Sequence, residues 1–491
     1  MTRAAAPHLD DRETAAAVRR VFDDAGYDAD RIAERLGTSD RSLAEGPDLP
    51  VYLRRLGEAD PLAVLLRVLL LDTPVAPDDA ERLLGRDPLS LLQRVGLLAR
   101  NEEGLVDGTV RVVPHEHLLI ASDRFSAGHA DHVAAVHGPS ATLAHLTVRR
   151  PVGRALDVGT GNGIQSLLAA VHAERVVATD INERALAFAA FNAALNGIDN
   201  VEFRSGSFFE PVAGRQFDLV IANPPYVISP ESSLLFRDSG LPKDAVSEQV
   251  VRKLPAHLAE GGYGSVMVSW VQESEEATAR PAAWVEGSGC DALVLHTGSD
   301  RPLRIAAQWN RDARSDPEAY AAAIDRWLDY FATEGIEQIA FGCVVLRRRT
   351  ATEARPNWIR ATRMPTLRLE PSGSQLERIF AAHDFLEGLE DDRALLGERF
   401  AVADNVALEQ ELRLGAAGWE LREASLAITS GMRFSAGLDD VTTALVLGLD
   451  GTRSVAEALP GPSDRRSREE LDEIGARVVR RMLELGFLRR A

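Results

Sequence analysis

Arg154-Ala155-Leu156-Asp157-Val158-Gly159-Thr160-Gly161-Asn162-Gly163 is an apolar run that closes on three alternating glycines, and Ile164 to His172 after it reads as a helix. A short apolar run bounded by glycine is a buried strand, and glycines at a strand-to-helix crossing let a ligand approach the backbone closely. Working outward, the second apolar run Arg175-Val176-Val177-Ala178-Thr179 ends in Asp180. An acidic residue at the tip of a second strand can accept from both hydroxyls of a ribose. Taken alone, such a glycine run suits a dinucleotide, another nucleoside, or a tight turn with no ligand.

A second stretch narrows the choice. Phe217-Asp218-Leu219-Val220-Ile221-Ala222 reads as a fourth strand, and Asn223-Pro224-Pro225-Tyr226 follows it. The two prolines lack N–H groups and have fixed φ, so this segment cannot continue a central strand and its carbonyls point away from any ladder. An Asn side-chain oxygen and a backbone carbonyl can then converge on one NH2 group, holding both protons while its lone pair faces an electrophile. With that tetrapeptide in place the dinucleotide reading falls away.

From about Val136 to Arg349 the chain resembles class I S-adenosylmethionine-dependent methyltransferases of the small-domain type, the group that includes release-factor glutamine and ribosomal RNA N-methyltransferases. The resemblance rests on Leu156 to Leu167 and on Asn223 to Tyr226. It implies an α/β fold with a seven-stranded Rossmann-like sheet and S-adenosyl-L-methionine as cofactor. It also implies cofactor contacts from Asp157, Gly159, Thr160, Gly161, Asn162, Gly163, Asp180, Ile181, Ser207, Phe208 and Asn223. Catalysis is expected of Asn223, Pro224 and Tyr226, the last stacking on a planar acceptor, with Pro225 and Tyr226 against the acceptor; Arg237 and Asp238 either contact the acceptor too or pair with each other. One departure stands out: the family commonly has Gly-Asp after the third strand, Val201 to Ser205, where this chain has Gly206-Ser207-Phe208. Ser207 can still accept a hydrogen bond, and Phe208 can cover an adenine face.

Length and charge bound the rest. At 491 residues the chain exceeds one ordinary domain, so flanking modules are expected. The divisions are 1–112, a helical and winged-helix-like unit; 113–350, the methyltransferase unit with a helical insertion near 300–336; and 366–491, an α+β accessory unit. In the first, two short helices from Pro77 to Val95 precede a hairpin turning at Asn101 to Gly104. In the last, Pro460 to Glu473 reads as a solvated loop, and protein contact or dimerisation is the expected role. No apolar run approaches the ~18 residues of a membrane helix, and the amino terminus lacks a signal-like stretch, so a cytoplasmic protein is expected.

A formal charge of -19 disfavours broad nucleic-acid binding without excluding a local basic groove. Only Lys243 and Lys253 are lysines, and the arginine- and alanine-rich composition is that of a GC-rich, bacterial genome. Arg347-Arg348-Arg349 is either a phosphate or acidic-partner contact or a solvated strand end. Six of the eleven histidines fall between His115 and His145, without the helical spacing of a metal pair, so no metal is expected; Phe125, His137 and Ser140 are expected near the cofactor. Trp309, Trp327, Tyr330 and Phe331 mark the insertion as a candidate lid that sets acceptor specificity. The acceptor stays open among a nucleobase in RNA or DNA, a glutamine-like amide in a protein and a small molecule. The other class of reading is a non-catalytic regulator that senses S-adenosylmethionine, against which the intact Asn223 and Tyr226 argue.

Overall fold

The computed structural model describes residues 5–38, 48–57, 59–124, 129–231, 237, 240–350, 357–366, 369–415 and 418–491. At its centre lie β1 (Val152–Val158), β2 (Ala173–Asp180), β3 (Val201–Ser205), β4 (Phe217–Ala222), β5 (Leu258–Val271), β6 (Cys290–Asp300), β7 (Ile339–Arg348) and β8 (Ile359–Arg363). They form one sheet in the order β8-β6-β7-β5-β4-β1-β2-β3. Only β7 runs antiparallel to its neighbours. Seven strands were expected and eight are present. The additional one, Ile-Arg-Ala-Thr-Arg, is a polar edge strand without an apolar face, and it exists because β6 offers it a free ladder.

The strands read as apolar because both faces are covered. Leu156, Val158, Val177, Val220 and Val266 face one side, beneath α4 (Ala245–Lys253) and α5 (Ala279–Val285), which contribute Val250, Val251, Trp284 and Val285. Ala155, Leu219, Ile221, Met267, Leu293 and Val345 face the other, against Leu143 of α1 (Gly138–His145) and Leu376, Ile379 and Phe380 of α8 (Gly373–Glu387). Leu376, Ile379 and Phe380 of the carboxyl-terminal region thus share a buried cluster with the sheet. The last helix of that region, Arg468–Glu484, starts inside the stretch read as a loop, because Ser467 and Glu470 form a capping box.

Two further core helices, α2 (Ile164–Ala170) and α3 (Glu183–Leu195), follow β1 and β2. α3 is apolar on nearly all sides because it is buried twice over. Ala185, Phe188, Phe191 and Leu195 join a cluster with Val18, Phe22, Leu65 and Leu69 of the amino-terminal helices. There, helices Pro77–Leu84 and Arg86–Arg94 precede an antiparallel pair, Leu98–Arg100 with Val106–Gly108. Between β6 and β7 the insertion forms α6 (Pro302–Trp309) and α7 (Pro317–Thr333).

Arg347 and Arg348 of the arginine run are bound within the fold. Arg347 donates to Asp291 at 2.7 Å and to both oxygens of Asp384 at 2.7 Å, and Arg348 donates to the Leu258 carbonyl at 2.7 Å. Asp291 is 0% exposed, so removing Arg347 takes a charged partner away from a buried carboxylate. Arg347→Leu is expected to lower unfolding stability by about 3–5 kcal/mol, read as the denaturant midpoint; a midpoint within error of the wild type refutes this.

Candidate active site

The register of four strands builds the site. Val158 lies opposite Thr179 and Ala222, and Asp180 lies opposite Ser205. The residues at and just beyond these strand ends, Gly159, Asp180, Gly206 and Asn223, therefore stand side by side at the carboxyl edge. That edge is where strand order reverses between β1 and β4, the position at which open α/β sheets leave a crevice. A cleft of about 280 Å³ opens there, and its walls include Gly159, Thr160, Gly161, Asn162, Asp180, Ile181, Ser207, Phe208, Asn223 and Pro225.

The glycine loop is shaped to leave space. Gly159 and Gly161 have φ of 74° and 57°, and a Cβ added at either would meet nothing within 4 Å. Gly163 works differently, since a Cβ there would lie 3.0 Å from that of Ala189; it serves the packing of α2 on α3 rather than the cleft. Asp180 holds the loop, accepting from the Gly161 N–H at 2.9 Å and from the Asn182 N–H at 2.8 Å. Burial raises its carboxyl above the ordinary carboxylate range despite these bonds. Beyond β3, Phe208 takes a positive φ of 46°, and its carbonyl accepts from Thr179 Oγ1 at 3.2 Å, which holds Phe208 and Ser207 along the wall.

Asp157, expected to touch the cofactor, lies beneath the loop instead. It is 1% exposed and accepts from Thr160 Oγ1 at 2.6 Å and from the Ser166 N–H at 2.9 Å. Burial pushes its carboxyl up to about 7, outweighing those hydrogen bonds. A folded-state value above the unfolded one means the group costs no stability below about pH 4 and progressively more as pH rises to about 7. Asp157→Asn should remove this term, so the stability difference between wild type and variant is expected to change by on the order of a few kcal/mol over that interval and to level off above it. Chemical denaturation of both across pH 4–8 reads it, and a pH-independent difference would refute it.

The tetrapeptide divides. Asn223 Nδ2 donates to Ser140 Oγ at 3.3 Å, while its Oδ1 is buried with no hydrogen-bond partner among the described residues. The Pro224 carbonyl accepts from the Tyr226 N–H at 2.8 Å. Tyr226, expected to stack on an acceptor, has its ring buried in the sheet core with Ile221 and Met267, and its carbonyl accepts from Ser269 Oγ. The turn through Pro224 and Pro225 points the side chain back under β4, and burial pushes the phenol pKa up, so it is no base. Arg237, expected at the acceptor, instead pairs with Glu231 at 3.4 Å and lies 5.9 Å from the Trp327 ring centroid. Asp238 and Phe125 lie outside the described residues.

The segment before β1, expected to close over the cofactor's methionine end, forms a strap along the cleft. His132, Val133, Ala134 and Ala135 line it beside the expected His137 and Ser140. Asn162 Nδ2 and Asn182 Nδ2 donate to the carbonyls of Ala134 and Asp131, each at 2.9 Å. Asp123 accepts from the Val133 N–H at 2.9 Å and from Arg184 Nε at 3.0 Å. Burial alone would raise that carboxyl, but the Arg184 guanidinium holds it below the usual range. Among the described residues no three His, Cys, Asp or Glu side chains converge as metal ligands, and no helix is long and apolar enough to cross a membrane.

The fold and the cleft define an α/β domain built to take a nucleoside-bearing ligand at its switch point. Comparison with known proteins specifies it. Residues 119–277 match the family described as Methyltransferase small domain, so this part of the chain is a class I methyltransferase domain of that type. Residues 24–108 and 377–490 match families described as Domain of unknown function (DUF7059) and Domain of unknown function (DUF7782). The chain is similar to the release factor glutamine methyltransferase of Xylella fastidiosa, at 36% identity over 24% of this chain and 48% of that one. It is likewise similar to the ribosomal protein uL3 glutamine methyltransferase of Xanthomonas campestris, at 36% identity over 32% of this chain and 58% of that one. The chain thus spans about half the length of these curated relatives. Of solved structures, the ribosomal protein L11 methylase of Lactobacillus delbrueckii aligns over 43% of this chain and 80% of its own, at 20% identity and a TM-score of 0.27; the fold here is read from strand order.

Proposed function

We propose that this chain uses S-adenosyl-L-methionine to methylate a planar amide nitrogen, that of a glutamine side chain in a protein. The observation that carries the reading is the buried Oδ1 of Asn223, without a hydrogen-bond partner among the described residues, beside the open glycine loop. The cofactor fits the residues present: Gly159 and Gly161 leave room for it, Asp180 would take the ribose hydroxyls, Ser207 the adenine amino group, and Ile181, 62% exposed on the cleft wall, and Phe208 the adenine faces. When bound it supplies a sulfonium methyl group, which needs an aligned nucleophile more than a base.

The chain's own part is to hold that nucleophile. Asn223 Oδ1 would accept one N–H of the acceptor amide and the second lone pair of the Pro224 carbonyl the other, both in a site shielded from water by residues 131–135. Such acceptors favour a nitrogen that is losing its planarity and gaining charge over the planar ground state. Thr160, Asn162 and Pro225 complete the walls, and Asp157, Gly163 and the Tyr226 ring support them from beneath.

The names of the relatives support a protein glutamine as acceptor over a nucleobase, and the charge of -19 points the same way. A cytoplasmic setting in a bacterium goes with those translation targets. Within this reading 113–350 carries the chemistry with its insertion near 300–336. The winged-helix-like unit 1–112 and the α+β unit 366–491 bring the protein substrate or other protein contacts. The test is transfer of tritiated methyl from S-adenosylmethionine by the full chain to purified release factor, to ribosomal protein uL3 and to cell lysate, with ribonuclease and protease arms. Protease-sensitive label that hydrolyses to N5-methylglutamine is expected. Ribonuclease-sensitive label assigns the acceptor to RNA, label surviving both treatments assigns it to a small molecule, and no label with intact cofactor binding favours a sensing regulator.

A further inference from the structure

One face of the insertion holds the chain that leaves the tetrapeptide at two points. At the first, Glu231 Oε1 accepts from Trp327 Nε1 at 3.3 Å and from Arg326 Nη2 at 3.2 Å. At the second, the Lys243 N–H donates to Tyr330 Oη at 3.1 Å, and Lys243 Nζ lies 3.3 Å from Glu334 Oε2. Trp327, Tyr330 and Glu334 follow one another at helical spacing, so a single stripe on and just past α7 makes both holds. Below the first hold, Val227 and Ile228 share a buried cluster with Ile305, Ala306, Trp327 and Phe331. Trp327 is fully buried, so its indole N–H depends on Glu231 for an acceptor, and displacing that residue strands a buried donor. Helix position and loop position are therefore one variable.

We propose that α7 is a positioning and specificity element for the methyl acceptor, keeping residues 227–231 and Lys243 in the arrangement in which an acceptor can reach Asn223. The proposal rests on the reading of Asn223 to Tyr226 as the site of transfer. A segment released from its holds samples other arrangements, and the apparent acceptor affinity falls by the fraction still in the competent one. The cofactor wall, built from the ends of β1, β2 and β3, is untouched.

The test uses the full chain with Trp327→Phe and Tyr330→Phe together, which keeps an aromatic ring at each position, shortens the buried indole to a phenyl, and deletes one hydrogen bond at each hold. With release factor or ribosomal protein uL3, whichever the wild type labels, KM for that protein is expected to rise about tenfold for two lost hydrogen bonds. In the same assay kcat should stay within about twofold and S-adenosylhomocysteine should bind as to the wild type. Damage to the fold would instead lower kcat at unchanged KM, because fewer molecules would be active. A second readout needs no acceptor: amide hydrogen exchange at 227–231 and at Lys243 should quicken in the double variant. A wild type that labels no protein defeats the proposed function alone, since the exchange comparison still decides whether α7 holds the segment. A labelling wild type whose KM is matched by the variant overturns the positioning role, and so does unchanged exchange.

Discussion

Asn223→Ala is expected to reduce kcat for methyl transfer by about 10²–10³-fold, the loss typical of removing one preorganised polar group from a reacting centre. The argument starts from an energetic oddity. Buried polar atoms are nearly always paired, yet Asn223 Oδ1 is not, while the other end of the amide is steered by Ser140. A buried acceptor left open costs stability in the free protein, and that cost is relieved when an acceptor amide donates to it. The alanine variant should therefore fold at least as stably as the wild type while losing activity. The measurements are kcat at saturating acceptor, the unfolding midpoint and the Kd for S-adenosylhomocysteine. A variant that binds the cofactor product and methylates at the wild-type rate removes Asn223 from the chemistry.

Asp180→Ala carries the second large effect, on binding. One carboxylate both props the Gly161 N–H and faces the cleft where a ribose would sit. Losing hydrogen bonds to a charged acceptor is expected to weaken S-adenosylhomocysteine binding by about 10–100-fold, as read by titration calorimetry. Asp180→Asn keeps the shape and one acceptor oxygen and should fall between the two. Because burial already raises this carboxyl, affinity should also decline as pH is lowered toward its titration. Wild-type affinity in Asp180→Ala, or a pH-independent Kd, would move the ribose site elsewhere.

Much of the cleft is legible in the sequence. Gly159, Asp180 and Asn223 are each a polar or flexible residue placed at the end of an apolar run, Gly206 follows an alternating one, and parallel strands in register must bring such ends together. Other features are hidden there for specific reasons. The strand Ile359–Arg363 alternates nothing apolar, so only the ladder of β6 makes it a strand. Three successive arginines resemble a surface patch until Asp291 and Asp384, distant in sequence, meet Arg347. The burial of the Tyr226 ring in the sheet core depends on the turn through two prolines, and the strap at residues 131–135 depends on asparagines from the glycine loop and from the N-cap of α3.

By itself the order of residues determined the sheet, its seven principal strands, and the chemistry offered at their tips, because hydrophobic period and glycine placement are local properties of the chain. Only the tertiary structure decided that Asp157 is buried beneath the glycine loop and that Asn223 Oδ1 finds no hydrogen-bond partner among the described residues. It also decided that α7 grips Glu231 and Lys243, because pairing and burial depend on which distant residues arrive at the same place.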